Sequence, residues 1–302
     1  MIKYLKHTEI NKSKWDATIK QSHNGLIYAY SWYLDIASPG WEALINEDYK
    51  EVFPITGKKK YGIDYIYPPF FIQQLGLFSS KEINKQNLND FLNAVPSKFK
   101  FIEYNLNWKN NFLINGFESK ENLTHHLSLN NNYEKLYSAY SQNLKRNLKK
   151  AAASNLVIEK NIDASVLIKI FRAHRGADIA KLKTKNYETL IKLIDEAKRH
   201  KAVEIIGVNH NNNICAGAVF LKSNNKFIFI FSAADETAKA TGAMPFLIDY
   251  FIKENAATAN VLDFEGSNNI DLARFYKGFG AEEKIYLSIK RNNLPAPFKW
   301  LK

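Results

Sequence analysis

Glu265 and Tyr276 are the side chains whose types and spacing most invite chemistry, and both fall in the stretch VLDFEGSNNIDLARFYKGFGA, residues 261–281. The apolar run Val261-Leu262-Asp263-Phe264 has the length and flanks of a buried strand, and it stops at Glu265-Gly266-Ser267. Asn268 or Asn269 can cap the helix that follows, and Ile270, Leu272, Ala273, Phe275 and Tyr276 give it an apolar face. Gly278 and Gly280 close it. Carboxyl ends of strands are where open α/β sheets bind ligands. A carboxylate partly buried at such a place has its pKa raised toward neutrality, the condition for a general base, with Ser267 beside it as a substrate contact. Two plainer readings stand alongside: Glu265 caps the turn or pairs with Arg274, and Tyr276 only fills the core.

The elements that must position this stretch begin with an aromatic-rich first third. The 302 residues are 46% hydrophobic, with 20 Phe and 16 Tyr, enough for two medium domains. A helix is expected around residues 13–19, then strands at 41–45 and 49–55 joined as a hairpin. Trp15, Tyr28, Tyr30, Trp32 and Tyr33 read as core or groove wall, with Trp32 a candidate substrate contact. The segment 65–76 carries Pro68 and Pro69 and cannot be a central strand. A helix at 83–95, a strand at 99–106 and the segments 112–117 and 123–129 complete this half. Three successive Asn, 130–132, mark a domain boundary, giving domains 1–130 and 131–302. The second half reads as a long helix 133–154, strand 156–162, helices near 167–171 and 187–199, strands 202–208, 214–221 and 226–233, a helix 244–255 and a last strand 284–290. Asn-rich turns between its apolar runs indicate antiparallel hairpins. The fold class is α+β, with mixed, largely antiparallel sheets flanked by helices.

The charge of +12 favours an anionic partner such as a phosphate-bearing cofactor, nucleic acid or lipid surface. It is densest at 133–154, where Lys145 and Arg146 are candidate phosphate or substrate contacts; a solvated helical face explains them equally well. Arg175 lies in the polar cluster 172–178, a candidate substrate loop. Lys239, Gly242 and Ala243 precede the 244–255 helix in a run of small residues whose backbone N–H groups could receive a phosphate. Cys215 sits in an apolar run and reads as a buried strand residue, not a nucleophile. The single cysteine excludes an intramolecular disulfide, and no signal peptide or membrane-spanning run is apparent, so a cytoplasmic location is expected. Phosphate-loop, dinucleotide, zinc and nucleophile-elbow motifs are absent, and no metal is expected.

The order of elements in 202–290 resembles the GNAT N-acetyltransferase superfamily, in which an Asn precedes the last helix, a Tyr follows seven residues on and a Gly four after that. Asn269, Tyr276 and Gly280 keep this spacing. The segment 141–151, SQNLKRNLKKA, with the core after it, is similar to the Fem-type peptidoglycan aminoacyltransferases, which carry two GNAT-like domains in tandem. The resemblance implies that acyl-CoA binds between two splayed strands, its pantetheine pairing with Phe231, Ser232 and Ala233 and its pyrophosphate meeting the loop before the 244–255 helix. It further implies that Asn269 supports the cofactor and that Tyr276 protonates the leaving thiolate. The family loop reads Gln/Arg-x-x-Gly-x-Gly/Ala, whereas this chain has Lys239 and Gly242 followed by Ala243-Met244. The function expected is an N-acyltransferase acting on an amine of a small-molecule, peptide or cell-envelope precursor. The alternatives are a tRNA-dependent Fem-type aminoacyltransferase and a catalytically silent binding module.

Overall fold

The computed structural model describes residues 1–178, 182–266 and 268–295; Ser267 lies outside them. In chain order the elements are β1 (Lys3–Leu5), α1 (Lys12–Gln21), α2 (Ser31–Ala37), β2 (Glu42–Asn46), β3 (Glu51–Ile55), β4 (Gly57–Lys60), β5 (Ile63–Ile66), β6 (Phe78–Ser79), α3 (Lys85–Asn93), β7 (Phe99–Asn105) and β8 (Glu118–Ser128). Then come α4 (Tyr133–Ser138), α5 (Gln142–Ala152), β9 (Leu156–Lys160), α6 (Ala164–Ala173), α7 (Thr184–Arg199), β10 (Val203–His210), β11 (Asn213–Ser223), β12 (Lys226–Ala234), α8 (Glu236–Thr241), α9 (Ala243–Glu254), β13 (Val261–Asp263), α10 (Ile270–Lys277) and β14 (Glu282–Asn292). The class is the expected α+β.

Contacts divide the chain into Met1–Leu123 with the segment from Lys284, and Thr124–Glu283. The division expected from the sequence lay at 130/131, with the rest of the chain in the second part. Asn132 does start a helix, its side chain accepting from Lys135 N–H. The end of β8 already belongs to the second unit, because His126, Leu127 and Ser128 pair with Asp263, Leu262 and Val261. The last strand goes with the first unit, because Ser288–Asn292 pair with Phe101–Asn105.

In the first unit β1, β2, β3 and β6 form one antiparallel sheet, with the expected β2–β3 hairpin in register Glu42↔Ile55. Trp15 and Trp41 pack at 4.7 Å, and Phe53 stacks on Tyr104 at 4.9 Å. Strand β4, three of whose four residues are lysines, pairs with β5 at an edge. Its lysines give no apolar alternation, and charge on an edge strand discourages further pairing.

The second unit holds the order β8-β13-β12-β11-β10-β9, antiparallel except for the parallel β12–β13 pair. Phe251 of α9 stacks on Phe220 of β11 at 3.7 Å, while Phe171 of α6 meets Phe231 of β12 at 4.9 Å. The expected single helix 133–154 is instead α4 and α5. Ser141 breaks it by accepting from Leu144 N–H as an N-cap and donating its own N–H to the Gly278 carbonyl at 2.9 Å. Of Leu136, Tyr140, Leu144 and Leu148, which recur at helical spacing, the first three enter the core and Leu148 is partly buried against it.

Candidate active site

The site is built where β12 and β13 part. The two strands pair only through Lys226↔Val261, Phe227↔Leu262 and Ile228↔Asp263, while β12 runs on to Ala234 against β11. Among the described residues, the β13 side of β12 from Phe229 onward has no strand partner. A bulge lies at the same point: Phe229 faces Phe220 and Phe231 faces Val219, so Ile230 has no opposite residue. An inserted residue bends a strand and re-aims the side chains beyond it. Phe229 therefore joins the core cluster around Tyr276, whereas Phe231, two residues on, points to Phe171 of α6. Ser232 and Ala233 continue this open edge opposite Ala218 and Gly217.

Beyond the parting, Phe264 donates its N–H to the His125 carbonyl at 2.9 Å, and Glu265 adopts φ 53°, a left-handed conformation uncommon for a side chain with Cβ. Glu265 is half-buried as a residue, but its Oε1 is sealed from solvent, and burial pushes the carboxyl up to about 8. Tyr276 of α10 is 6% exposed, its ring stacked on Phe264 at 4.7 Å and edge-on to Phe229 at 6.4 Å. Burial pushes its hydroxyl up to about 12, with the Glu265 charge adding to the shift and the Arg175 guanidinium opposing it. Its hydroxyl makes no hydrogen bond to the described residues. Tyr276 thus feels the charges of Glu265, eleven residues before it, and of Arg175, from a distant part of the chain, whereas the shift of Glu265 has burial as its cause.

The remaining predicted residues separate. Asn269 caps α10, its side-chain oxygen accepting from Asp271 and Leu272 N–H at 3.0 and 3.1 Å, so its oxygen is committed to the helix. Lys145 folds back to donate to the Ser138 carbonyl at 3.2 Å and lies over the Tyr137 ring, whereas Arg146 is exposed. Trp32 lies in the first unit, half-buried, with its ring 5.5 Å from Tyr33. Cys215 is buried as expected; burial first, then the Asp235 charge, pushes its thiol up to about 11.

The loop expected at 236–243 is a correction. Asp235 accepts from Ala238 N–H and starts α8, and Gly242 (φ 77°) ends it. Exposed Lys239 pairs with Glu236 at 2.6 Å, and Ala243 is fully buried. Gly242 N–H bonds Ala238 O, Pro245 has no N–H and Phe246 N–H bonds Gly242 O, which leaves a ligand at most the amides of Ala243 and Met244. A Cβ on Gly242 would lie 3.0 Å from the Asn147 carbonyl of α5. This end of α9 is a poor fit to a pyrophosphate. Gly242→Ala is expected to lower unfolding free energy by about 1–3 kcal/mol, since it meets both a positive φ and a fixed carbonyl. Chemical denaturation checks it, and a change below about 0.5 kcal/mol contradicts the close packing.

Sequence reading missed the polar groups behind the site. Thr124, His126 and Lys226 surround buried Asp263, and His125 lies 6.1 Å from the Tyr276 ring centre. The signal available was Thr124-His125-His126 inside an otherwise strand-like run. An open cleft of about 450 Å³ lined by Arg172, Gly176, Leu182, Lys183, Thr184 and Tyr187 adds two further cations in the second unit. Among the described residues, no group of three or more His, Cys, Asp and Glu is placed to hold a metal, and no helix is long and apolar enough to cross a membrane.

No protein-family profile matches the chain, and no curated protein does. Solved structures do match over nearly its whole length. FemX aligns at 13% identity over 94% of this chain and 96% of its own, with a TM-score of 0.65. The C-terminal domain of a putative lysylphosphatidylglycerol synthetase from Agrobacterium fabrum aligns at 10% identity over 96% and 94%, with a TM-score of 0.57. A tandem GNAT protein from the clavulanic acid biosynthesis pathway aligns at 7% identity over 98% and 100%, with a TM-score of 0.54. The fold is the GNAT-like fold of the Fem type.

Proposed function

We propose that this chain is an acyltransferase that moves an acyl or aminoacyl group to an amine, with Glu265 as base and Tyr276 as acid. The observation that supports it most is the pairing, at the parting of β12 and β13, of a carboxyl raised to about 8 with a buried hydroxyl raised to about 12. The neutral amine attacks the carbonyl carbon as the C–N bond forms. Glu265 takes the proton the nitrogen sheds. The bond to the leaving sulfur or oxygen breaks as Tyr276 supplies its proton. A base titrating near the working pH is both available and strong enough to act. The cleft with Arg172 and Lys183 favours an acceptor carrying an anionic group.

For the donor, acyl-CoA remains one reading, served by the open edge at Phe231, Ser232 and Ala233. One observation favours an oxygen ester such as aminoacyl-tRNA: the α9 N-terminus offers few amides to a pyrophosphate. Exposed Arg146, Lys149 and Lys150 on α5 are then candidate backbone contacts. Binding to aminoacyl-tRNA that weakens steeply with salt, with no thermal shift on adding acetyl-CoA, longer acyl-CoAs or CoA, is the expected outcome. A clear shift with an acyl-CoA and none with tRNA returns the donor to a thioester. Silence throughout leaves a binding module of the same fold.

A further inference from the structure

The polar cluster behind the site has no part in the chemistry just described. Asp263 is 3% exposed. Its Oδ1 accepts from Thr124 Oγ1 at 2.6 Å and from Glu265 N–H at 3.0 Å. Its Oδ2 lies 2.9 Å from His126 Nε2 and 3.6 Å from Lys226 Nζ. Burial opposes ionisation here, yet the His126 imidazole, the Lys226 ammonium and the Thr124 hydroxyl outweigh it and hold the carboxyl well below the usual range. Contacts on every side make Asp263 unsuited to proton transfer, and an ion cluster buried away from water is costly to keep for stability alone.

Its place in the fold suggests its use. Asp263 is the last β13 residue paired with β12 and is paired across to His126 of β8. Two residues later, Glu265 leaves the strand with φ 53°. A non-glycine residue holds that conformation only where its surroundings impose it, and one bond that helps to do so runs from the Glu265 amide to Asp263. We propose that Asp263, anchored by Thr124, His126 and Lys226, is the positioning residue of the site: it fixes the Glu265 backbone and so keeps the Glu265 carboxyl in its buried place. The proposal rests on the reading of Glu265 as the base.

The charged and titratable groups around this point are His125 and His126 from β8, Lys226 from β12, Tyr276 and Lys277 from α10, Glu283 beyond it, and Arg175. The Glu265 amide donates to Asp263 Oδ1. Loss of the Asp263 side chain removes that bond, and the Glu265 backbone is then expected to relax and carry its carboxyl toward solvent.

The test is carboxyl-carbon NMR titration of the full chain labelled at Glu, with Glu265→Gln assigning the signal. The wild type is expected to show Glu265 titrating well above the ordinary glutamate range. Asp263→Asn, which keeps an acceptor for the amide, is expected to hold that titration within about half a unit, and Asp263→Ala to lower it by about one unit or more. Should the alanine variant not fold, Asp263→Ala with Lys226→Met leaves no buried ammonium facing a missing carboxylate and gives the same comparison. Ring shifts of Tyr276 and Phe264 report whether the core is intact. A folded alanine variant in which Glu265 still titrates as in the wild type overturns the positioning role and leaves the base reading standing. An ordinary titration of Glu265 in the wild type overturns both.

Discussion

Glu265→Gln is expected to raise the melting temperature by an amount that grows as pH rises, while abolishing acyl transfer. The folded chain holds this carboxyl near 8, well above the value near 4.5 it has when exposed. Between those values the folded state keeps a proton that the unfolded state releases, so raising the pH destabilises the fold across that window. The gain from removing the titration is nil below about pH 4.5 and on the order of 2–4 kcal/mol by pH 7 to 8. Gln keeps the shape and the backbone bond to Asp263 but cannot take a proton. Thermal unfolding of both proteins from pH 5 to pH 8 reads the difference directly, and parallel curves would show that Glu265 is an ordinary glutamate.

The second large effect is at Tyr276. Its ring is locked between Phe264 and Phe229, while its hydroxyl makes no hydrogen bond to the described residues. Tyr276→Phe therefore preserves packing, and stability should change by less than about 1 kcal/mol. If the hydroxyl supplies the proton to the leaving group, turnover should fall about 10²–10⁴-fold, with donor binding nearly unchanged. Steady-state kinetics with donor affinity measured separately distinguishes this from a packing role, in which turnover and binding would both survive.

These two residues were legible because both belong to local patterns: an apolar run ending at a carboxylate and a helix with a marked face. The spacing of Asn269, Tyr276 and Gly280 also survives, although two of its members do structural work. Asn269 caps α10, and Gly280 takes φ 84° where a Cβ would sit 3.2 Å from Ala139 Cβ. The spacing describes how the helix is seated under Tyr276. The antiparallel strands of the second unit were legible for the same local reason, with Asn-rich turns between apolar runs.

What escaped was set by distance in sequence or by competition between local preferences. Thr124 and His126 reach Asp263 across 139 and 137 residues, and no periodicity links them. The small-residue run 236–241 suggests a loop, yet Ala, Lys and Glu are good helix formers and Asp235 supplies a cap. The apparent long helix 133–154 breaks at Ser141, where a serine able to cap a new helix outweighs the continuing apolar spacing. Nothing in the chain order announces that β14 pairs with β7.

Acyl transfer itself is the sharpest test of Glu265 as base and Tyr276 as acid. The full chain would be incubated with carbonyl-labelled acetyl-CoA, longer acyl-CoAs and aminoacyl-tRNA in turn, together with a set of amines that carry anionic groups, and label would be followed into amide. Amide is expected to form with at least one donor, most strongly with the oxygen ester, and to be lost in both Glu265→Gln and Tyr276→Phe. Transfer that proceeds undiminished in both variants would refute the assignment.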